Sequence, residues 1–216
     1  MVPSVNKRSD RLDTVLMLYN VAMKNIVILI SGRGSNMQSI VAASQAQKWP
    51  AQIAAVISNR ADAEGLAFAR QHGIPTAVVV SKSYASRDLF DAALLAQIEQ
   101  YSPDLVVLAG FMRILTPQFV QHYQGRMVNI HPSLLPDFKG LDTHHQALLA
   151  GVKEHGATVH LVTAELDHGP ILDQARIAVL PDDTETSLAS RVLEQEHILY
   201  PRVIRQMIEG TLSLPN

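Results

Sequence analysis

Apolar residues along this chain fall first into short unbroken runs and then into helical stripes. Lys24-Asn-Ile-Val-Ile-Leu-Ile30 is nearly all apolar and rich in β-branched side chains, which predicts a strand buried on both faces, as in a parallel sheet. Ser31 to Asn36 reads as a turn, after which Met37, Ile40, Val41 and Ser44 recur at helical spacing. The alternation continues with a strand over 53–58, a helix over 63–71 closed by His72-Gly73, and a strand over 76–80. A helix over 86–101 follows, striped by Phe90, Leu94, Ile98 and Tyr101, and then a strand over 105–109. Thr116-Pro117 marks a helix start, with an N-cap hydroxyl and a proline where its missing N–H costs nothing. Met127 to His131 reads as a fifth strand. Strand and helix alternating over short connections predict an α/β fold with a doubly wound, mostly parallel sheet.

The pattern changes near residue 125. Pro132 and Pro136 fix an irregular loop, a helix follows over 143–150, and strands over 158–163 and 171–180 lie close enough to pair as a hairpin. A last helix is expected from Thr184-Glu185 to about Gly210, with Pro201 as a kink or break. The expected domain spans 23–210, divided near 125 into two halves with no flexible linker, and 211–216 form a tail. Residues 1–22 read as a dispensable extension. Lys7, Arg8 and Arg11 precede the apolar stretch 15–21, which is short, contains Asn20 and lacks a convincing cleavage pattern. A targeting or docking segment is the alternative reading.

Composition narrows the chemistry. With 47% hydrophobic residues the 216-residue chain has ample material for a core. The absence of cysteine excludes disulfides, thiolate catalysis and thiolate metal sites, and is compatible with a cytoplasmic location. A net charge of -2 argues against a general nucleic-acid binder. No apolar run reaches the roughly 20 residues of a membrane helix.

Three constellations carry candidate chemistry. Gly32-Arg-Gly-Ser-Asn36 resembles a dinucleotide fingerprint but has Met37 at its third glycine position, and Ser58-Asn59-Arg60 supplies no acidic residue for a ribose diol. What remains is a glycine-rich turn at a helix N-terminus, either a phosphate site or a plain tight turn. Asn129 and His131 lie two apart at the end of a strand, so both face one side, where an amide and an imidazole suit a carbonyl oxygen gaining negative charge. The alternative is a histidine satisfied by backbone. Asp167, in Glu165-Leu-Asp-His-Gly-Pro170, either sits beside His131 and holds its ring or is an ordinary turn aspartate. Among the nine histidines, His144-His145 and His155/His160 invite a metal reading, but no HExxH and no i, i+4 pair occurs, so no metal site is assigned.

Together, Ile28-Leu-Ile-Ser-Gly-Arg-Gly-Ser-Asn36, Val107-Leu-Ala-Gly-Phe-Met-Arg-Ile-Leu115, Asn129-Ile-His-Pro-Ser-Leu-Leu-Pro136, Gly140-Leu-Asp-Thr143 and Gln195-Glu-His197 with Tyr200-Pro201 resemble the phosphoribosylglycinamide formyltransferases. The resemblance covers about residues 23–210. It implies a Rossmann-like sheet with a mixed C-terminal extension, and transfer of a formyl group from 10-formyltetrahydrofolate, a co-substrate rather than a tightly bound cofactor, to 5-phosphoribosylglycinamide in purine synthesis. By the same resemblance Gly34, Ser35 and Asn36 hold the substrate phosphate and Glu196 contacts the glycinamide substrate. Arg87, Met112, Arg113, Ile114, Leu115 and Asn129 belong to the folate site, and Asn129, His131 and Asp167 are the catalytic trio. The implied protein is a monomer or weak homodimer.

Arg33, Asp142 and His168 depart from the family pattern, which has Asn, His and Gly at those positions. Three rivals share parts of it. A formyltetrahydrofolate hydrolase would carry an N-terminal regulatory domain, for which 22 residues are too few. A methionyl-tRNA transformylase would be longer and more basic, and a non-catalytic phosphosugar binder would not need the trio.

Overall fold

The computed structural model describes residues 23–212. The expectations for 1–22 and most of the tail lie outside them. Seven strands form one sheet: β1 (Lys24–Ile30), β2 (Ala51–Ser58), β3 (Thr76–Val78), β4 (Leu105–Leu108), β5 (Met127–His131), β6 (Glu154–Leu161) and β7 (Ile171–Ala178), in the order β3-β2-β1-β4-β5-β6-β7. The first five are parallel, and β6 and β7 run antiparallel to their neighbours. The sheet is thus mostly parallel with a mixed C-terminal end, as expected, and it is continuous across residue 125. Six helices flank it: α1 (Ser35–Ala46), α2 (Gly65–Gln71), α3 (Arg87–Glu99), α4 (Pro117–His122), α5 (Thr143–Ala150) and α6 (Glu185–Glu209).

The unbroken apolar run of β1 is explained by burial on both faces. Ile26, Ile28 and Ile30 pack with Met37, Ile40 and Val41 of α1 and with Val192, Leu199 and Val203 of α6. Val27 and Leu29 face the other way, onto Phe90, Leu94 and Ile98 of α3. All five strand side chains are fully buried, each stabilising the fold by about 1.5–3 kcal/mol relative to exposure. Thr116 caps α4 as predicted, accepting from the Phe119 amide, with Pro117 in the first turn.

Several expectations are corrected, among them the ends of β6 and β7, which stop at Leu161 and Ala178 rather than 163 and 180. β3 stops at Val78 rather than Val80, because the chain passes into a short 3-10 turn at Ser81–Ser83. β6 begins at Glu154, four residues before the predicted start, because its first residues, Glu-His-Gly-Ala, lack apolar alternation although they pair fully with β7. α6 is not broken at Pro201. A proline inside a helix costs about 3 kcal/mol. Burial of Leu199, Tyr200, Val203 and Ile204 around it outweighs that, and the Tyr200 hydroxyl donates to the carbonyls of Leu108 (2.9 Å) and Val128 (3.1 Å).

β1 leads to β2 on one side of the sheet, whereas β4 lies on its other side. Ligands of open α/β sheets bind at such a reversal of strand order, beyond the strands' carboxyl ends. Here the loops after β1 and β4 touch: the Ser31 amide donates to the Gly110 carbonyl at 3.1 Å.

Candidate active site

Gly34 caps α1 with φ +70°, a left-handed conformation that glycine adopts without strain. A Cβ there would also meet the end of Met37 at 3.0 Å. No capping side chain or first-turn acid occupies this helix N-terminus, so the amide end of the α1 dipole is available to an anion. Asn36 turns inward and donates to Glu196 Oε2 at 2.6 Å, joining α1 to α6 across 160 residues. Both residues are buried, burial raises the Glu196 pKa, and Asn36 Oδ1 has no partner. A carboxyl and an amide oxygen, buried beside an anion-favouring turn, suit a ligand with a phosphate at one end and hydrogen-bond donors nearby. Arg33 is exposed.

The second group lies on β5 and its surroundings. His131 Nδ1 is 3.4 Å from Asp167 Oδ2, so the structure brings these two together. His131 Nε2 faces the Phe138 carbonyl at 2.8 Å; the ring thus also has the backbone partner named as its alternative. Asp167 adopts φ +48° and accepts from the Gly140 amide at 3.0 Å, which ties the 162–170 turn to the loop after β5. Both side chains are over nine-tenths buried, where charge interactions are weakly screened.

His160 is the site residue that sequence reasoning missed. It stands opposite Asn129 in the β5–β6 ladder, and the Asn129 amide nitrogen lies 3.2 Å from its Nε2. Its Nδ1 donates to the Leu161 carbonyl at 2.9 Å, and burial lowers its pKa. A neutral ring with hydrogen on Nδ1 therefore accepts from Asn129 and fixes the amide plane. Its only signal in the sequence was strand alternation shared with Thr158. The register that sets it against Asn129 is a long-range property.

Arg113, Ile114, Leu115, Asn129, His160 and Asp167 line one pocket. It takes walls from both sides of residue 125 and combines an apolar flank with convergent polar groups, the make-up of an organic-ligand site. Met112 and Ile114 are 69% and 60% exposed. Met112 and Arg87 do not line this pocket; Arg87 is exposed at the start of α3. His131 is buried and does not line the pocket. Asp142 caps α5 in a left-handed conformation, and exposed His168 pairs with Glu165 at 3.3 Å. Among the described residues no cluster of three His, Asp or Glu side chains is placed to hold a metal, and no helix is long and apolar enough to cross a membrane.

A further histidine pair lies under the loop after β5. His144 Nδ1 is 3.2 Å from His155 Nε2, and His155 packs edge-on against Phe138. Burial, followed by the neighbouring His144 and His131, lowers the His155 pKa to about 4. The unfolded chain takes up this proton near pH 6.5, so between about 6.5 and 4 the unfolded state binds more protons. Stability then falls as pH falls through that window, by at most about 3 kcal/mol from this group. Urea titrations from pH 7.5 to 4.5 should show the slope, and His155→Gln should flatten it. An unchanged slope in the variant would assign the acid sensitivity elsewhere.

The family model described as formyl transferase matches residues 24–204. The phosphoribosylglycinamide formyltransferase of Escherichia coli is 52% identical over 190 residues, 88% of this chain and 90% of the relative, and that of Haemophilus influenzae is 46% identical over 192 residues, 89% and 91%. The solved structure of the phosphoribosylglycinamide formyltransferase of Coxiella burnetii superposes with a TM-score of 0.85 at 50% identity, covering 90% of this chain and 91% of that one. With the family model spanning most of the chain and relatives this similar over nearly their whole length, the chain belongs to the formyl transferase family, in its phosphoribosylglycinamide branch.

Proposed function

We propose that Asn129, His131 and Asp167 carry out the reaction of this enzyme: transfer of a formyl group from the co-substrate 10-formyltetrahydrofolate to the amine of 5-phosphoribosylglycinamide, in purine biosynthesis. The observation that carries the residue assignment is the cluster at the carboxyl end of β5, in which His131 meets Asp167 and Asn129 is oriented by His160. Gly34, Ser35 and Asn36 bind the phosphate at the α1 N-terminus, and Glu196 receives the glycinamide end. Arg87 and Met112 to Leu115 hold the folate over the pocket.

The amine attacks the formyl carbon, and negative charge develops on the formyl oxygen. The Asn129 amide and the His131 ring donate to that oxygen, and Asp167 stabilises positive charge on His131. With Nδ1 facing Asp167, Nε2 is the ring nitrogen left to donate; it lies 2.8 Å from the Phe138 carbonyl. The attacking amine gives up a proton, folate N10 gains one, and the C–N10 bond breaks. Each oxyanion donor is worth about 3 kcal/mol of barrier, and holding both reactants in one cleft supplies more. The enzyme acts as a monomer or weak homodimer in the cytoplasm, and residues 1–22 are dispensable to the chemistry.

The test is an assay of purified protein with 10-formyltetrahydrofolate, with and without the amine, following tetrahydrofolate, formylated product and formate together. Equal amounts of tetrahydrofolate and formylated product, formed only with the amine, are expected. Free formate released without the amine would make the protein a hydrolase.

A further inference from the structure

We propose that Ser31 is a positioning residue for the folate co-substrate, holding the Met112–Leu115 segment from beneath; this rests on the reading of that segment as a folate wall. Ser31 opens the turn after β1 and is 6% exposed. Its hydroxyl makes two bonds at once. It donates to Asn59 Oδ1 at 2.6 Å and accepts from the Met112 amide at 2.8 Å. Its own amide donates to the Gly110 carbonyl, so the chain around Gly110 is held from both sides. Asn59, 5% exposed at the end of β2, lies outside the pocket lining and completes a relay from β2 through β1 to the loop after β4.

The other end of the segment is held as well. The Thr116 amide donates to Asp91 Oδ2 at 2.6 Å, and Asp91 is 3% exposed on α3. Between these anchors the segment turns Met112 and Ile114 outward, more than half exposed. Two large apolar side chains offered to solvent on a short stretch pinned by buried polar groups fit a prepared binding wall. Pinning lowers the ordering cost when the ligand binds. The hydroxyl is required because it must donate and accept simultaneously; alanine does neither and leaves two polar groups unpaired. The Ser31 hydroxyl makes no bond to residues 32–36, so its loss should spare phosphosugar binding.

Steady-state kinetics on Ser31→Ala with both substrates varied should show the folate KM raised about tenfold, the phosphosugar KM within twofold and kcat within threefold, with Ser31→Thr restoring the folate KM. Equal loss in both KM values, or in kcat, together with a lowered Tm, would reduce Ser31 to a structural role and overturn the proposal. Ile114→Ala, run alongside, reads the wall itself. If Ile114→Ala raises the folate KM and Ser31→Ala does not, the wall stands and the relay falls. If neither does, the folate reading of the segment falls and takes the relay with it. Should Ser31→Ala fail to fold, Asn59→Ala removes the far end of the relay and must produce the same selective rise in folate KM for the proposal to survive.

Discussion

Replacing His131 by alanine should lower formyl transfer about a thousandfold while phosphosugar affinity stays within about threefold. In the mechanism proposed above the imidazole donates to the formyl oxygen, and loss of one such donor typically costs a hundred- to a thousandfold in rate. The upper end applies here because the substitution also strands Asp167. That carboxylate is 8% exposed and would keep the Gly140 amide as its hydrogen-bond partner, with the His160 ring 3.8 Å away. A buried carboxyl group without the ring 3.4 Å away is then left beside the proposed reaction centre, which raises the barrier further. Phosphosugar affinity should be spared because the proposed phosphosugar residues, the Gly34 turn and Glu196, share no hydrogen bond or ion pair with His131. Rapid-quench kinetics with saturating substrates, calorimetric titration of the phosphosugar and a thermal melt separate chemistry, binding and folding. A loss below tenfold would remove His131 from the chemical step.

The second large effect is on stability. A Cβ added at Gly169 would lie 1.7 Å from the Leu161 carbonyl oxygen and 2.8 Å from its carbon. These are backbone atoms of β6, and no flexible side chain can yield. Gly169→Ala must therefore open the start of the β6–β7 hairpin, where the Leu161 amide donates to the Pro170 carbonyl at 2.9 Å. A cost of about 3 kcal/mol or more is expected, lowering Tm by about 6–12 °C for a chain of this size. Because Asp167 lies two residues away in the same turn, activity should fall below what the folded fraction explains. Gly125→Ala is the reference: φ there is +75° but no atom lies within 4 Å of the new Cβ, so only the left-handed strain of about 1–2 kcal/mol applies. Equal destabilisation by the two variants would show that the Leu161 carbonyl moves aside cheaply.

The sequence disclosed whatever is local or periodic. Lys24 to Ile30 could only be a doubly buried strand, because seven residues with almost no polar position fit no half-exposed element. Thr116-Pro117 named its own helix start. The early start of β6 was hidden because Gly156 is there for steric reasons: a Cβ would meet the Ala175 carbonyl oxygen at 1.9 Å, and a glycine gives no apolar signal. Pro201 misled because tertiary burial outweighed a local penalty. At the site, the shared face of Asn129 and His131 was legible from their spacing. The approach of Asp167 to His131, the register that puts His160 against Asn129, and the Ser31–Met112 bond all join distant segments, and periodicity carries no record of them.

The Asn36–Glu196 bond has a consequence for synthesis on the ribosome. Its partners are 160 residues apart, so at 5–20 residues per second Glu196 is made roughly 8–30 s after the glycine-rich turn. Once β5 has been made the five parallel strands can assemble, but Met37, Ile40 and Val41 still lack Val192, Leu199 and Val203, which bury them in the finished protein. A nascent chain halted before α6 thus displays a sticky helix face and an Asn36 side chain without its Glu196 partner, a fitting target for holding chaperones and for proteases. The junction of α1 and α6 therefore forms late, when the rest of the sheet is already made.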